Sequence, residues 1–419
     1  MQSGTKRGYQ TQDRTAIALP EAQRALLRHV RPIDKAKVRL EQAFGYRLAA
    51  AAYASEPIPH FRRSGMDGYA VRTEDLAELP VTLEVTQRIA CGTPPAGALG
   101  AGTAARIMTG GMVPDGADAV IMQEMAEETA DGQRCYVRFT KAVPSGTNIT
   151  PVGLEAGRGE KLLDAGERIG PAQAALLAAI GCDEPSVYRK PIVAIICTGD
   201  ELLAIHQRLQ PGKIRNSNLY MLASQIREYG GEPQLIGSIP DEPQEARRML
   251  YGIMEGEADL VLTTGGVSVG DFDVVAAILA DWDGDTLFNK ITMRPGSPTS
   301  AGVRGGKLLI GLSGNPAACL AGCELLVRPV LRQMQGERAI TADEHGQQAI
   351  LAEGYGKVNA YTRYIRGIRY TDGATVYVRQ AGADRSSAIV SLKEANCLIV
   401  IPPTKTGVLA GELVTIIPL

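Results

Sequence analysis

Aromatic residues are scarce. They make up 5% of the 419-residue chain and include a single tryptophan, Trp282. A protein that stacks bases on aromatic side chains would carry more. A charge excess is also missing: 44 Lys and Arg face 46 Asp and Glu, for a net charge of −2. No block of about five like charges occurs, so a basic footprint for nucleic acid is absent. No apolar run reaches the roughly 18 residues of a membrane span. The first residues, MQSGTKRGYQTQDR, hold no apolar signal-peptide region. These absences lead to the expectation of a cytoplasmic protein without nucleic-acid or membrane partners. Residues 1–19 are expected to be a flexible extension.

Two further absences concern metals and disulfides. The seven cysteines are odd in number and scattered, which is not a disulfide framework. Cys319 and Cys323, four apart on an expected helix, read as small buried residues. The four histidines, His29, His60, His206 and His345, form no HExxH or His/Cys cluster, so no zinc site is expected.

What the chain has in excess is glycine: 47 residues, with 24 prolines, against average usage of about 7% and 5%. No collagen period or low-complexity block accompanies them, so they mark turns and loops. Length suggests two to three domains at roughly 150 residues each. The segments LPEAQRALLRHV and, after Pro32, DKAKVRLEQAFGYRLAAA read as helices, the second capped by Asp34. Between 80 and 144 come short β-rich runs, VTLEVTQRIA, ARIMTG, DAVIMQE and CYVRFT, separated by turn residues. An Ala-rich helix, PAQAALLAAIG, follows with Gly181 at its C-cap. From 191 to 336 strands and helices alternate. IVAIICT is continuously apolar, as a strand buried on both faces should be, and the alternation predicts a doubly wound parallel sheet. Residues 345–419 are again β-rich. The fold class is therefore a multidomain α/β protein. Its expected parts are a discontinuous helical and extended linker (20–60 and 145–190), a β insert (61–144), an α/β domain (191–337) and a C-terminal β domain (345–419).

In open parallel sheets, ligands bind at the carboxyl ends of strands. Here those ends carry Thr198-Gly199-Asp200-Glu201, Asp241, Gly265-Gly266-Val267-Ser268-Val269-Gly270-Asp271-Phe272-Asp273 and Ser313-Gly314-Asn315-Pro316. The GGVSVG loop lets backbone N–H groups approach an anion. It is neither GxGxxG nor a Walker A loop. Carboxylates converging on a phosphate cradle call for a divalent cation between them, a Mg²⁺–phosphate arrangement with Glu201, Asp241, Asp271 and Asp273 as candidate ligands. Helix capping is the competing role of Asp241 and Asp271. Arg294, in Met293-Arg294-Pro295-Gly296-Ser297-Pro298, is either a bidentate oxyanion holder or a solvated arginine. Asp67, in Arg62-Arg63-Ser64-Gly65-Met66-Asp67-Gly68, is either a turn former or a site carboxylate.

Six motifs in order, SGMDGYAV, RIMTGGMVPDGADAVIMQE, CTGDEL, GGVSVGDFD, RPGSP and GLSGNPA, resemble the molybdopterin molybdenumtransferases, the family that includes the E domain of gephyrin. The resemblance runs from about residue 20 to the C-terminus. It implies insertion of molybdenum from molybdate into adenylylated molybdopterin, with cleavage of the phosphoanhydride, release of AMP and help from Mg²⁺. It also implies a homodimer with the active site between subunits. Expected partners are a molybdopterin adenylyltransferase and molybdoenzyme maturation proteins. By motif position it assigns Asp67, Glu201, Asp241 and Asp273 to catalysis. Cofactor binding falls to Met66, Thr109, Glu155, Thr198, Gly199, Gly265, Gly266, Val267, Ser268, Gly314 and Asn315. Molybdate falls to Arg294, Ser297, Arg366 and Ser386.

The chain departs from the family pattern at several of these points. Arg294 and Ser297 stand where the pattern has two lysines, and Ser313 stands where it has proline. Gly153-Leu154-Glu155 replaces G-E-D, and RRSGMDG replaces a more usual DNSAMDG. Two other readings stay open on that account. One is a divergent paralogue acting on another oxyanion or pterin nucleotide. The other is a non-catalytic dimeric scaffold.

Overall fold

A computed structural model describes residues 15–240, 242–266, 274–337 and 346–419. The chain forms two compact units. The first comprises residues 1–49, 166–169 and 186–419, and the second residues 50–165 and 170–185.

The centre of the first unit is a six-stranded sheet. Its strands run in the order Glu232–Ile239, Ile192–Thr198, Leu260–Thr264, Lys307–Leu312, Ser300–Arg304 and Asp285–Phe288. The first four are mutually parallel. The apolar continuity of the three inner ones, Ile192–Thr198, Leu260–Thr264 and Lys307–Leu312, has a direct cause, since alternate side chains enter opposite faces. Val193, Ile195 and Cys197 join one core cluster, which includes Leu222 and Ile226 of the helix Asn218–Glu228. Ala194 and Ile196 join the other, with Leu250 of the helix Pro243–Glu255 and Ile278 of the helix Val274–Ala280.

The two remaining strands add an antiparallel edge to the expected parallel sheet. Both pair antiparallel, and Ser300–Arg304 does so because Gly305 and Gly306, at φ 58° and 79°, form the two-residue turn that joins it to Lys307–Leu312. Two successive positive φ angles build the hairpin turn whose twist matches the strands.

A correction concerns residues 34–51. The expected helix is not there. Lys35–Lys37 and Arg47–Leu48 flank Ser186–Tyr188 in a small antiparallel sheet, with a 3₁₀ turn at Leu40–Gln42 between them. Gly45 at φ 83° interrupts the segment. Helix propensities differ by only about 0.7 kcal/mol per ordinary residue, too little to outweigh ladder pairing with a strand some 150 residues away. The helix Leu19–Leu27 does form and buries Leu19, Ala22 and Leu26.

The long C-terminal helix of the α/β region is two α-helices, Pro316–Gly322 and Arg328–Met334, joined by a π-helical turn at Cys323–Val327. Pro329 follows the turn. Proline lacks an N–H and crowds the carbonyl four residues back, and a widened turn relieves that crowding. Cys319 and Cys323 are buried and free, as expected of small core residues.

Residues 347–418 form a β-barrel. Thr362–Asp372, Thr375–Gln380, Gln347–Leu351, Leu413–Pro418 and Cys397–Ile401 pair in succession, and the last pairs with the first. Met293–Arg294 adds to it through Thr362–Asp372.

The second unit holds a six-stranded sheet in the order Ala119–Met122, Gly68–Val71, Thr103–Ile107, Val81–Ile89, Arg134–Phe139 and Ala126–Asp131. Tyr69 and Val71 enter one of its cores and Ala70 the other. The helix Pro171–Ala179 ends where Gly181 takes φ 72°. Among the described residues, no helix is long and apolar enough to cross a membrane.

Candidate functional site

The carboxyl ends of Ile192–Thr198, Leu260–Thr264 and Lys307–Leu312 border a cavity of about 860 Å³. Its lining includes Thr198, Gly199, Glu201, Gly265, Gly266, Gly314 and Asn315. The structure thus brings together seven of the expected site residues. Of the rest, Asp241, Val267, Ser268, Asp271 and Asp273 lie outside the described residues.

The glycines at 265 and 266 are required by contact as well as conformation. Their φ angles are 93° and 62°, and a Cβ would stand 2.7 Å from Thr198 Oγ1 at the first and 2.8 Å at the second. The Thr198 hydroxyl beneath them is buried and has no hydrogen-bond partner among the described residues.

Two asparagines absent from the sequence reading organise the same wall. Asn218, at the first turn of Asn218–Glu228, donates from Nδ2 to Thr264 Oγ1 (3.0 Å) and to the Gly314 carbonyl (2.8 Å). Thr264 Oγ1 in turn donates to the Ser313 carbonyl. One amide therefore ties three loops together. Asn216 Oδ1 accepts from the Leu219 N–H and from the Cys197 thiol, both at 3.2 Å. Burial pushes that thiol up to about 11, so it acts as a donor and not as a nucleophile. The available signal was Asn-Ser-Asn ahead of a helix, which reads equally as capping.

The candidate oxyanion residues are divided. Ser297 donates its hydroxyl to the Ile291 carbonyl at 2.8 Å, inside its own turn. Arg294 is exposed, and its guanidinium stands 5.8 Å from the centre of the Tyr361 ring. Arg366, 6% exposed, donates to the carbonyls of Ala383 (2.7 Å) and Arg385 (3.3 Å). The Ser386 carbonyl accepts from Ala317 N–H at 3.0 Å, and the next residue, Ser387, lines the cavity.

The second unit carries Met66, Asp67, Thr109 and Glu155. Asp67 Oδ1 accepts from the Thr109 N–H (2.6 Å) and hydroxyl (2.7 Å). The Ser64 hydroxyl donates to the Met66 carbonyl. Asn148, at φ 56°, gives its carbonyl to Gly65 N–H. Glu155 pairs with Arg63 at 3.2 Å, so two residues that depart from the family pattern contact each other. Met66 is exposed.

Among the described residues, no group of three His, Cys, Asp or Glu side chains could hold a metal ion. Glu201 is the one described member of the candidate cation set. A Mg²⁺ site usually uses one or two carboxylates together with substrate phosphates, so Glu201 supplies the least that such a site needs from the protein. The described residues do not themselves form a cation centre.

Three family profiles match the chain: MoeA N-terminal region (domain I and II) over residues 17–181, probable molybdopterin binding domain over 194–333, and MoeA C-terminal region (domain IV) over 348–419. A molybdopterin molybdenumtransferase of Bacillus subtilis is 38% identical over 411 residues, covering 96% of this chain and 94% of that protein. One from Staphylococcus epidermidis is 36% identical over 408 residues, covering 96% of each. The crystal structure of the molybdopterin biosynthesis MoeA protein from Pyrococcus horikoshii OT3 superposes with a TM-score of 0.80 at 30% identity, covering 97% of this chain and 100% of that one.

Proposed function

We propose a reaction from one premise: the chain belongs to the molybdopterin molybdenumtransferase family, enzymes of molybdenum cofactor biosynthesis. The reaction is insertion of molybdenum from molybdate into adenylylated molybdopterin, with cleavage of the phosphoanhydride and release of AMP. The observation that carries it is the 860 Å³ cavity at the strand ends, a volume suited to a nucleotide-sized ligand. Its Gly265–Gly266 floor lets the main chain approach a phosphate without a side chain intervening. The loops at 198–201 and 313–315 hold the rest of the ligand. On the family pattern the oxyanion falls to Ser386 and the Arg294-to-Ser297 turn, whose neighbours Ser387 and Pro298 line the cavity. Mg²⁺ belongs to the reading as the family's cation, with Glu201 as its described ligand.

The reading extends to a homodimer in the cytoplasm, supplied with substrate by a molybdopterin adenylyltransferase. Asp67 then serves the site of the partner subunit. A second reading, that the preferred oxyanion differs from molybdate, draws on the Ser297 hydroxyl being engaged with Ile291 and on the single cation, Arg294, left in that turn.

The test is incubation of the purified full chain with adenylylated molybdopterin, magnesium and molybdate, with AMP measured by chromatography. Molybdate-dependent AMP release is expected. No AMP at saturating molybdate would overturn the proposal, and release with another oxyanion alone would favour the second reading.

A further inference from the structure

The cavity has one wall that comes from the barrel. Between the strand Thr375–Gln380 and the 3₁₀ turn Val390–Glu394, the chain runs as an irregular loop. That loop contributes Ser387 and Ile389 to the cavity lining, and Gly382, Ala383, Arg385, Ser387 and Ile389 are all exposed. Such a loop has little apolar burial to hold it and needs polar anchors.

The anchors converge on Asp384. Its carboxylate accepts from Arg363 Nη2 at 2.6 Å, the Tyr355 hydroxyl at 2.7 Å and Lys357 Nζ at 3.0 Å. The side chains of Asp384 and Arg363 are only 11% and 15% exposed. Three donors on one shielded carboxylate make a strong, directional tie. Arg366 grips the main chain on either side, at the carbonyls of Ala383 and Arg385. Beyond it, Ser386 is pinned to the helix after Asn315 through Ala317 N–H.

We propose that Asp384 and Arg363 are positioning residues that set the oxyanion wall of the cavity. Arg366 shares this role by acting through the loop, because both of its Nη atoms already donate to main-chain oxygens. The proposal rests on the reaction given above and deepens it. Displacing a binding wall by about 1 Å costs up to roughly a hundredfold in rate, and because this wall meets molybdate the loss falls on kcat/KM for molybdate. Loosening this loop therefore weakens the oxyanion step while leaving the glycine floor beneath the nucleotide intact.

The experiment compares the wild type with Asp384→Asn, Asp384→Glu and Arg363→Lys in the full chain. AMP release is measured against molybdate concentration, and AMP and molybdate are each titrated calorimetrically. Asp384→Asn is expected to raise the molybdate KM by roughly tenfold or more, with kcat at saturating molybdate and the AMP Kd within about twofold. Asp384→Glu should restore most of the loss, and Arg363→Lys should resemble Asp384→Asn because its ammonium stands on a shorter stem than the Nη2 that makes the 2.6 Å contact. If Asp384→Asn fails to fold, Arg363→Lys gives the decisive comparison. Unchanged molybdate KM and Kd in a folded variant overturn the proposal, as does a fall in kcat and AMP affinity with no change toward molybdate. Wild type that binds molybdate but releases no AMP overturns the proposed reaction instead, and the calorimetric comparison then still decides the role of Asp384. Wild type that does not bind molybdate overturns both.

Discussion

Thr109 holds Asp67 with both of its donors, its N–H and its hydroxyl reaching the same carboxylate oxygen at 2.6 and 2.7 Å. The Thr109 main-chain N–H is the largest influence, followed by the hydroxyl, and together they hold the Asp67 carboxyl below its ordinary value. Asp67 is thus a fixed and charged carboxylate at the surface, an arrangement that a turn former and a site carboxylate share. Because the native value is depressed, whatever this contact contributes is present above the ordinary carboxylate range, near 4. It is lost as pH falls through the native value.

Thr109→Val removes the hydroxyl donor and keeps the N–H. The Asp67 carboxyl should then titrate at higher pH, which carboxylate-detected NMR would follow residue by residue. If the proposed reaction holds, AMP release at neutral pH should fall several-fold with little change in Tm. An unmoved Asp67 titration would show that the hydroxyl contributes nothing.

Gly265→Ala should be costly twice over. The φ of 93° strains any side chain, and the new Cβ would stand 2.7 Å from both the carbonyl and the hydroxyl of Thr198. A loss of about 1–3 kcal/mol is expected in urea denaturation, with AMP binding weakened more than tenfold. Wild-type stability and AMP affinity in this variant would mean the floor is not built as described.

Asn218→Ala cuts the tie between three loops. It takes the Nδ2 donor away from the buried Thr264 Oγ1, at a cost of about 1–3 kcal/mol. The loss should appear in thermal unfolding of the α/β unit, and bound AMP should offset part of it if the cavity holds the nucleotide. A variant with unchanged Tm, with and without AMP, would contradict this.

Glu128 gives the second unit a pH dependence. The Tyr69 hydroxyl, then the Cys135 thiol and Arg88, hold its carboxyl down to about 2. A depressed native value means that the stabilisation is complete above the ordinary carboxylate range and disappears as pH falls toward 2. Glu128→Gln should therefore lower the urea midpoint at pH 7. The gap to the wild type should close progressively below pH 4. A pH-independent gap would point to packing as its cause.

How far the sequence could be read depended on the distance over which each feature is decided. The three inner parallel strands, Ile192–Thr198, Leu260–Thr264 and Lys307–Leu312, were visible because their burial on both faces is written locally, as in IVAIICT. The strands Asp285–Phe288 and Ser300–Arg304 are part-polar and short, so only Gly305-Gly306 hinted at them. The segment 34–51 looked helical because Ala, Leu, Arg and Glu favour helices, while its actual partner, Ser186–Tyr188, lies far along the chain. The loops lining the cavity were legible as glycine-rich strand ends. The asparagines that fasten them were not, since an Asn before a helix is an ordinary cap. Nor was the Arg363–Asp384 pair, whose members are separated by two strands' worth of chain and meet only when the barrel closes.

The interrupted path of the first unit has a consequence for biosynthesis. The helix Leu19–Leu27 packs into a core whose members after Val30 begin at Val193 and extend beyond Val330. A ribosome releases that helix long before its partners exist, whereas residues 50–165 and 170–185 emerge as a nearly complete unit. Domains generally fold as units as they are made. The second unit is therefore the one able to fold during translation, and the N-terminal helix waits, with Leu19, Ala22 and Leu26 uncovered, until the last third of the chain has been made.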